Sequence, residues 1–339
     1  MSDLLSGMFG GRPDWLAALL EVEAALAGAA ADIGRIPLAA ATSIVQHCRA
    51  ELFDEADLAR RAAEHATPVA PLVDDLRALL PPEIARYVHT PATSQDIIDS
   101  ALMLIAARAI DGLLPDLESC VHRTRMLTDA HQATPQLGRT LLAAATPTTF
   151  GLLAAAWRSG LVEARVSLAR VRQALAVQLG GPVGALNDSA LVAAFAQRLG
   201  LAVPASSWHT NRGRIAELAS ALGLVVGALG KIGGDVLLLA QPEIAELAEG
   251  RSGGSSSMPH KRNSARSVQL VACAHRAPGL IGTVFAGLPQ ELHRAAGRWQ
   301  AEWETVAELL ALTVAAAGHG RVLLVELKVD TVRMAEGLR

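Results

Sequence analysis

Residues 212–241 hold apolar side chains at Ile215, Leu218, Leu222, Val225, Leu229, Ile232, Val236 and Leu239, in steps alternating between three and four. That is an a/d seam, which a long helix can bury only by packing along its length against other helices. The stretch also carries Gly223, Gly227, Gly230 and Gly234, and each interior glycine costs about 1 kcal/mol relative to alanine. A stripe that costly implies close approach by other backbones. The stretch therefore reads as a rod in a long-helix bundle, its neighbours supplied by the same chain or by other subunits. Lys231 and Asp235 interrupt the apolar surface and argue against a membrane dimer.

The rest of the chain supports an all-α protein. Hydrophobic residues make up 51% but Phe, Trp and Tyr only 3%, so the apolar content is alanine, leucine and valine, with alanine the best helix former. Residues 14–35 have helical spacing and stop at Gly34 before Pro37, and shorter helices follow to about Leu80. The pair Pro81-Pro82 breaks the pattern, which places a domain boundary near residue 88. Beyond it, long helices are expected from Ser94 to Leu114, from Thr148 to Leu179 before Gly180-Gly181-Pro182, and from Ser264 onward. No β-type alternation of useful length is visible. The expected division is an N-terminal helical domain over 1–88, a central bundle over 89–325 and a remnant over 326–339.

Thirty Lys and Arg against 33 Asp and Glu give a formal charge of -3, which offers no general pull on nucleic acid or an anionic membrane. Cys48, Cys120 and Cys273 are far apart and in no ligand spacing, so they read as buried thiols in a reducing compartment, the cytoplasm. The start lacks a basic region followed by an apolar one, and each long apolar stretch is expected to break before it could cross a bilayer.

Four polar clusters stand out. In HTPATSQDIIDSA, residues 89–101, Thr93 and Asp96 have the spacing of a capping box at a helix start, where carboxylates bind well. GRTLLAAATPTTFG, residues 138–151, places Arg139 before an apolar stretch and Thr148-Thr149 as a cap. SSWHTNRGR, residues 206–214, puts His209, Asn211 and Arg212 at the start of the rod, a combination suited to an anion. GRSGGSSSMPHKRN, residues 250–263, joins glycines and serines to Lys261 and Asn263, which could hold a carboxylate.

GSSSMPHKRN resembles the GSSxMPxKxNP signature of the fumarase/aspartase superfamily. HTPATSQD and GRTLLAAATPTTFG resemble its first and second regions, and WHTNRGRIAELA and RAAGRWQAEW resemble the branch that lactonizes 3-carboxy-cis,cis-muconate. The resemblance covers nearly the whole chain. It implies a long-helix homotetramer with each site shared between subunits, a small tricarboxylate substrate, and no metal or organic cofactor. It also implies a C-terminal third domain largely absent here, the chain ending soon after KVDTVRM. By carry-over, Ser255 is the catalytic proton donor and acceptor, with Lys261 stabilising its alkoxide. Substrate contacts fall to Thr93, Ser94, His209, Arg212 and Asn263, joined by His89, Arg139, Ser256 and Met258.

The departures from the family point to mechanism. Members that expel an amine or hydroxyl read Thr-His-x-Gln where this chain has Thr140, Leu141, Leu142 and Ala143, and Val268 stands where a Glu partner is usual. Ser264 replaces the proline after Asn263, and Pro91 replaces a common glycine. In lactonization the nucleophile is a carboxylate that is already ionised at pH 7; in reverse it leaves without needing a proton. The missing pair is then dispensable. A lyase acting on another polycarboxylate and a non-catalytic bundle homologue remain as rival readings.

Overall fold

In the computed structural model, the described residues are 15–251, 253–254, 256–258 and 260–338. They form helices α1 (Trp15–Asp32), α2 (Leu38–His47), α3 (Glu55–His65), α4 (Val69–Ala78) and α5 (Pro82–Ala85), and then the long α6 (Ser94–Ala130). A hairpin of β1 (Pro135–Thr140) and β2 (Ala143–Thr149) leads into α7 (Phe150–Ala174), α8 (Ser189–Leu199) and α9 (Gly213–Leu239). After the short strand β3 (Leu247–Ala248) come α10 (Ala265–Ala286), α11 (Arg298–Glu326), β4 (Lys328–Val329) and α12 (Thr331–Glu336).

The chain divides into two compact units, each drawn from three separate stretches of sequence. Unit 1 gathers described residues within Met1–Arg108, Val171–Glu217 and Gly282–Glu308, and unit 2 those within Ala109–Arg170, Leu218–Ile281 and Leu309–Arg339. In unit 1, α1 buries Trp15, Leu19, Val22 and Leu26, and packs on α2 and α8. It ends as expected, with Gly34 left-handed at φ +73 and the Arg35 N–H returning to the Ala30 carbonyl at 2.7 Å.

Helix α6 runs past the expected stop at Leu114 with Pro115 inside it. Proline removes one ladder bond, but Leu113, Leu117 and Cys120 are all buried, and that packing carries the helix through. The hairpin is the larger correction. Its strands pair from Pro135 with Thr149 to Thr140 with Ala143, and the turn is Leu141-Leu142, left-handed at φ +52 and +66. Such turns normally use Asn or Gly, so nothing in the sequence announced it. Helix α7 consequently starts at Phe150, with the Thr149 hydroxyl accepting the Leu152 N–H at 3.2 Å, the cap expected of that threonine.

In unit 2 the glycine stripe of α9 separates into two lines. A Cβ on Gly223 would lie 2.5 Å from Ile281, and one on Gly230 would lie 2.4 Å from Ala274, both on α10. Gly227 and Gly234 have nothing within 4 Å. Gly230→Val is therefore expected to destabilise by about 1–3 kcal/mol through overpacking. Gly227→Ala should stabilise an isolated protomer by up to about 1 kcal/mol through helix propensity. Urea unfolding of both variants checks the pair; equal effects would contradict this division.

The expectation that every apolar stretch breaks too early is corrected by α9 and α11, with mean hydropathy 1.8 and 1.5 over windows long enough to span a bilayer. Half of each window is buried inside the chain, and Asp235 on α9 takes the Trp157 indole N–H at 2.6 Å and pairs with Lys231. We read both as core helices, since a bundle core passes the same length and composition test.

Candidate functional site

Unit 1 holds the start of α6. The Thr93 N–H donates to Asp96 Oδ2 at 2.9 Å, the bond a capping box makes. Asp96 is fully buried and does more than cap. It also accepts the N–H groups of Gly180 and Gly181, each at 2.9 Å, and the Nε2–H of His209 at 2.7 Å. One carboxylate thus ties the helix start, the Gly180-Gly181 turn and the segment before α9 together. Ser94, half-buried, opens the helix beside this hub.

Two residues expected to contact substrate have buried partners within the chain. His209 is buried, with Nε2 on Asp96 and Nδ1 3.3 Å from the Ser207 hydroxyl, so its ring serves the scaffold. Arg212 is buried between two carboxylates. Its Nη1 and Nη2 donate to Asp99 at 2.8 and 2.9 Å, and its Nε and Nη2 to Glu302 at 3.0 and 2.6 Å. The guanidinium also lies 4.8 Å over the Trp208 ring. Burial pulls its pKa down, but the charges of Asp99 and Glu302 more than offset this and hold it above the ordinary arginine range. Burial pushes Glu302 up, against the opposing pull of Arg212. Trp299 and Gln290 donate to the same two carboxylates at 3.0 and 2.8 Å. All three guanidinium nitrogens of Arg212 donate to carboxylates within the cluster.

The cation that sequence reasoning passed over is Arg294. Its Nη2 donates to the Thr93 hydroxyl and to the Pro182 carbonyl, the latter at 3.1 Å. Both partners are neutral, and among the described residues Arg294 has no carboxylate partner. It lies in RAAGRWQAEW, quoted above only for its resemblance. His89, also in unit 1, has its Nδ1 2.6 Å from Glu23 Oε1.

Unit 2 holds the remaining candidates. Arg139 pairs with Glu246 at 2.7 Å and donates to the Leu137 carbonyl at 3.2 Å, while Gln136 donates to the other Glu246 oxygen at 2.8 Å. Its charge pairs with Glu246 and pins the hairpin. A cavity of about 760 Å³ under the hairpin is lined by Leu137, Arg139, Thr140, Leu142, Lys231 and Asp235 among others. Leu141 and Leu142 themselves are exposed at the turn; neither offers an acid or base.

The serine-rich loop is closed at its neck. Gly253 and Asn263 exchange backbone bonds of 2.7 and 2.9 Å, and the Asn263 side-chain amide donates to the Gly254 carbonyl at 2.9 Å. Ser256, Met258 and Lys261 are exposed. Ser255 lies outside the described residues. Beyond the neck, Glu249 caps α10 by accepting the Ser267 N–H at 2.8 Å and its hydroxyl at 2.7 Å.

Arg266, in the same first turn, donates to His319 Nδ1 at 2.9 Å. Burial, aided by the Arg266 charge, lowers the His319 pKa from its usual 6.5. The unfolded chain therefore binds the proton more readily, and the stability contributed by neutral His319 is present above about pH 6.5 and is lost as pH falls below it. His319→Gln should narrow the gap between urea midpoints at pH 7.5 and 5.5; an unchanged gap would exclude this histidine as a source of acid sensitivity.

Comparison with known proteins adds the following. Residues 12–279 match a family model described as lyase. The chain is 46% identical over 336 residues to the 3-carboxy-cis,cis-muconate cycloisomerase of Pseudomonas aeruginosa, covering 95% of this chain and 73% of that protein. It is 40% identical to the nitrosuccinate lyase of Streptomyces davaonensis, covering 99% and 77%. The crystal structure of the 3-carboxy-cis,cis-muconate lactonizing enzyme from Pseudomonas putida superposes with a TM-score of 0.91 at 38% identity, covering 98% of this chain and 77% of that one.

Proposed function

From the premise that this chain belongs to the lyase family of the fumarase/aspartase superfamily, we propose that it is an intramolecular lyase closing 3-carboxy-cis,cis-muconate to a carboxymuconolactone without a cofactor. The likeness to cycloisomerases along nearly the whole chain carries this reading. The chemistry agrees with it. One substrate carboxylate, ionised at pH 7, adds to the conjugated double bond, and the displaced electron pair moves onto a neighbouring carboxylate as an aci-carboxylate. Carbon then takes a proton from the Ser255 hydroxyl, and water reprotonates the serine. Lys261 and loop N–H groups stabilise the intervening alkoxide. The exposed turn at Leu141-Leu142 and the exposed Val268, where the family places an acid–base pair, cost this reaction nothing.

Arg294 with Thr93 and Ser94 holds substrate carboxylates, and fixed donors around the developing aci-carboxylate supply the largest share of the barrier reduction. The protein works as a homotetramer in the cytoplasm, with sites shared between subunits. The open line of Gly227 and Gly234 and the exposed Leu224 and Leu238 of α9 support further copies packing there. Light scattering that returned a folded monomer would remove this part.

The decisive assay is loss of the diene's ultraviolet absorbance when purified protein meets 3-carboxy-cis,cis-muconate. Turnover of nitrosuccinate or adenylosuccinate in its place would establish a superfamily lyase on another polycarboxylate. Inertness toward all three would leave a bundle homologue without catalysis.

A further inference from the structure

His89 and Glu23 form a pair that the scheme above leaves unused. Glu23 sits on α1 with a side chain only 1% exposed, and its Oε1 lies 2.6 Å from His89 Nδ1. Among the described residues this is the one hydrogen bond its carboxylate makes. A buried carboxylate without a partner is costly, so the Nδ1–H of His89 is what permits Glu23 there. The backbone at His89 is left-handed, φ +65, a conformation that costs a β-carbon residue about 1–3 kcal/mol and that gathers at ligand sites. The ring is 15% exposed, and Nε2 has no hydrogen bond among the described residues. The same segment runs directly into Thr93 and Ser94.

We propose that Glu23 is a positioning residue: it fixes the His89 ring through Nδ1 so that Nε2 meets a substrate carboxylate held against Thr93 and Ser94. The inference rests on the cycloisomerase reading for its substrate. A carboxylate behind an imidazole settles which nitrogen carries the proton and which way the ring points, and such outer partners commonly contribute as much as the group they orient. When protonated, His89 donates from Nε2 to the substrate oxygen while Glu23 balances the charge behind it. The strained backbone at 89 is then the means of turning the ring toward the helix start, and no proton need leave the pair during turnover.

Glu23→Gln keeps the volume and removes the charge. It is expected to lower kcat/KM on 3-carboxy-cis,cis-muconate by about 10- to 100-fold, mainly through KM, because a carboxylate contact is made in the ground state too. Glu23→Asp, charged but shorter, should fall between. If Glu23 acts through His89, the double variant Glu23→Gln/His89→Gln should be no worse than His89→Gln alone. Nitrogen-15 NMR of the ring needs no substrate: the wild type should show Nδ1 protonated and slow to exchange, and Glu23→Gln should lose that signature. Wild-type kcat/KM in an active Glu23→Gln protein, additive losses in the double variant, or an unchanged ring signature would each overturn the proposal. Lack of turnover by the wild type would overturn the cycloisomerase reading, and the ring signature would still decide the positioning.

Discussion

Ser255→Ala is expected to lower kcat on 3-carboxy-cis,cis-muconate by about 100- to 10,000-fold, the usual range for removing a positioned proton donor, with KM changed little. The division follows from the role. A hydroxyl that delivers its proton to carbon acts only as the transition state forms, so its removal leaves ground-state binding intact. Lys261→Met should behave differently. It removes a cation from the serine's alkoxide and from any bound carboxylate, so both constants should deteriorate. Neither change should alter the fold, because the loop's neck is held elsewhere, by the Gly253–Asn263 bonds and the Asn263 clasp on Gly254, and its exit by Glu249 at the start of α10. Unfolding midpoints equal to wild type would confirm that the loss is chemical. Turnover of Ser255→Ala within a few-fold of wild type would remove serine as the carbon acid.

The sequence revealed features whose physics is local. The seam from Ile215 to Leu239 lies on one helix, and all eight of its side chains are buried; the Thr93–Asp96 bond depends on spacing within a single turn. Convergence was hidden. Asp96 reads as a cap until the Gly180-Gly181 turn and His209 arrive on it, and nothing singles out Arg294 until it reaches Thr93. The hairpin was hidden for another reason: Leu141-Leu142 occupies a turn that ordinarily advertises itself with Asn or Gly. His209, Arg212 and Arg139 were visible as polar residues among apolar ones, and that contrast marks buried carboxylate pairs as readily as substrate contacts.

Arg212→Ala is expected to destabilise unit 1 by about 3–5 kcal/mol, the cost of leaving buried carboxylates without their counter-charge, which is a large share of the roughly 5–15 kcal/mol that holds a typical protein folded. Two carboxylates lose their partner at once. Asp99 keeps the Gln95 amide and the Trp299 indole as donors at 3.2 and 3.0 Å, and Glu302 keeps Gln290 at 2.8 Å, but neutral donors do not replace a guanidinium. Arg212→Lys should recover little, since one ammonium cannot span both acids as the fork does. Substituting all three charges, Asp99→Leu, Arg212→Met and Glu302→Leu, should recover part of the loss, because apolar packing can replace a buried ion cluster at little net cost. Recovery stays incomplete because the Trp299 and Gln290 donors then lose these partners and Gln95 keeps only the His209 carbonyl, at 2.8 Å. Urea midpoints for the single and triple variants decide the matter. An alanine variant within about 1 kcal/mol of wild type, below the usual cost of breaking a buried pair, would mean that the cluster opens to water and that Arg212 is available to a substrate after all.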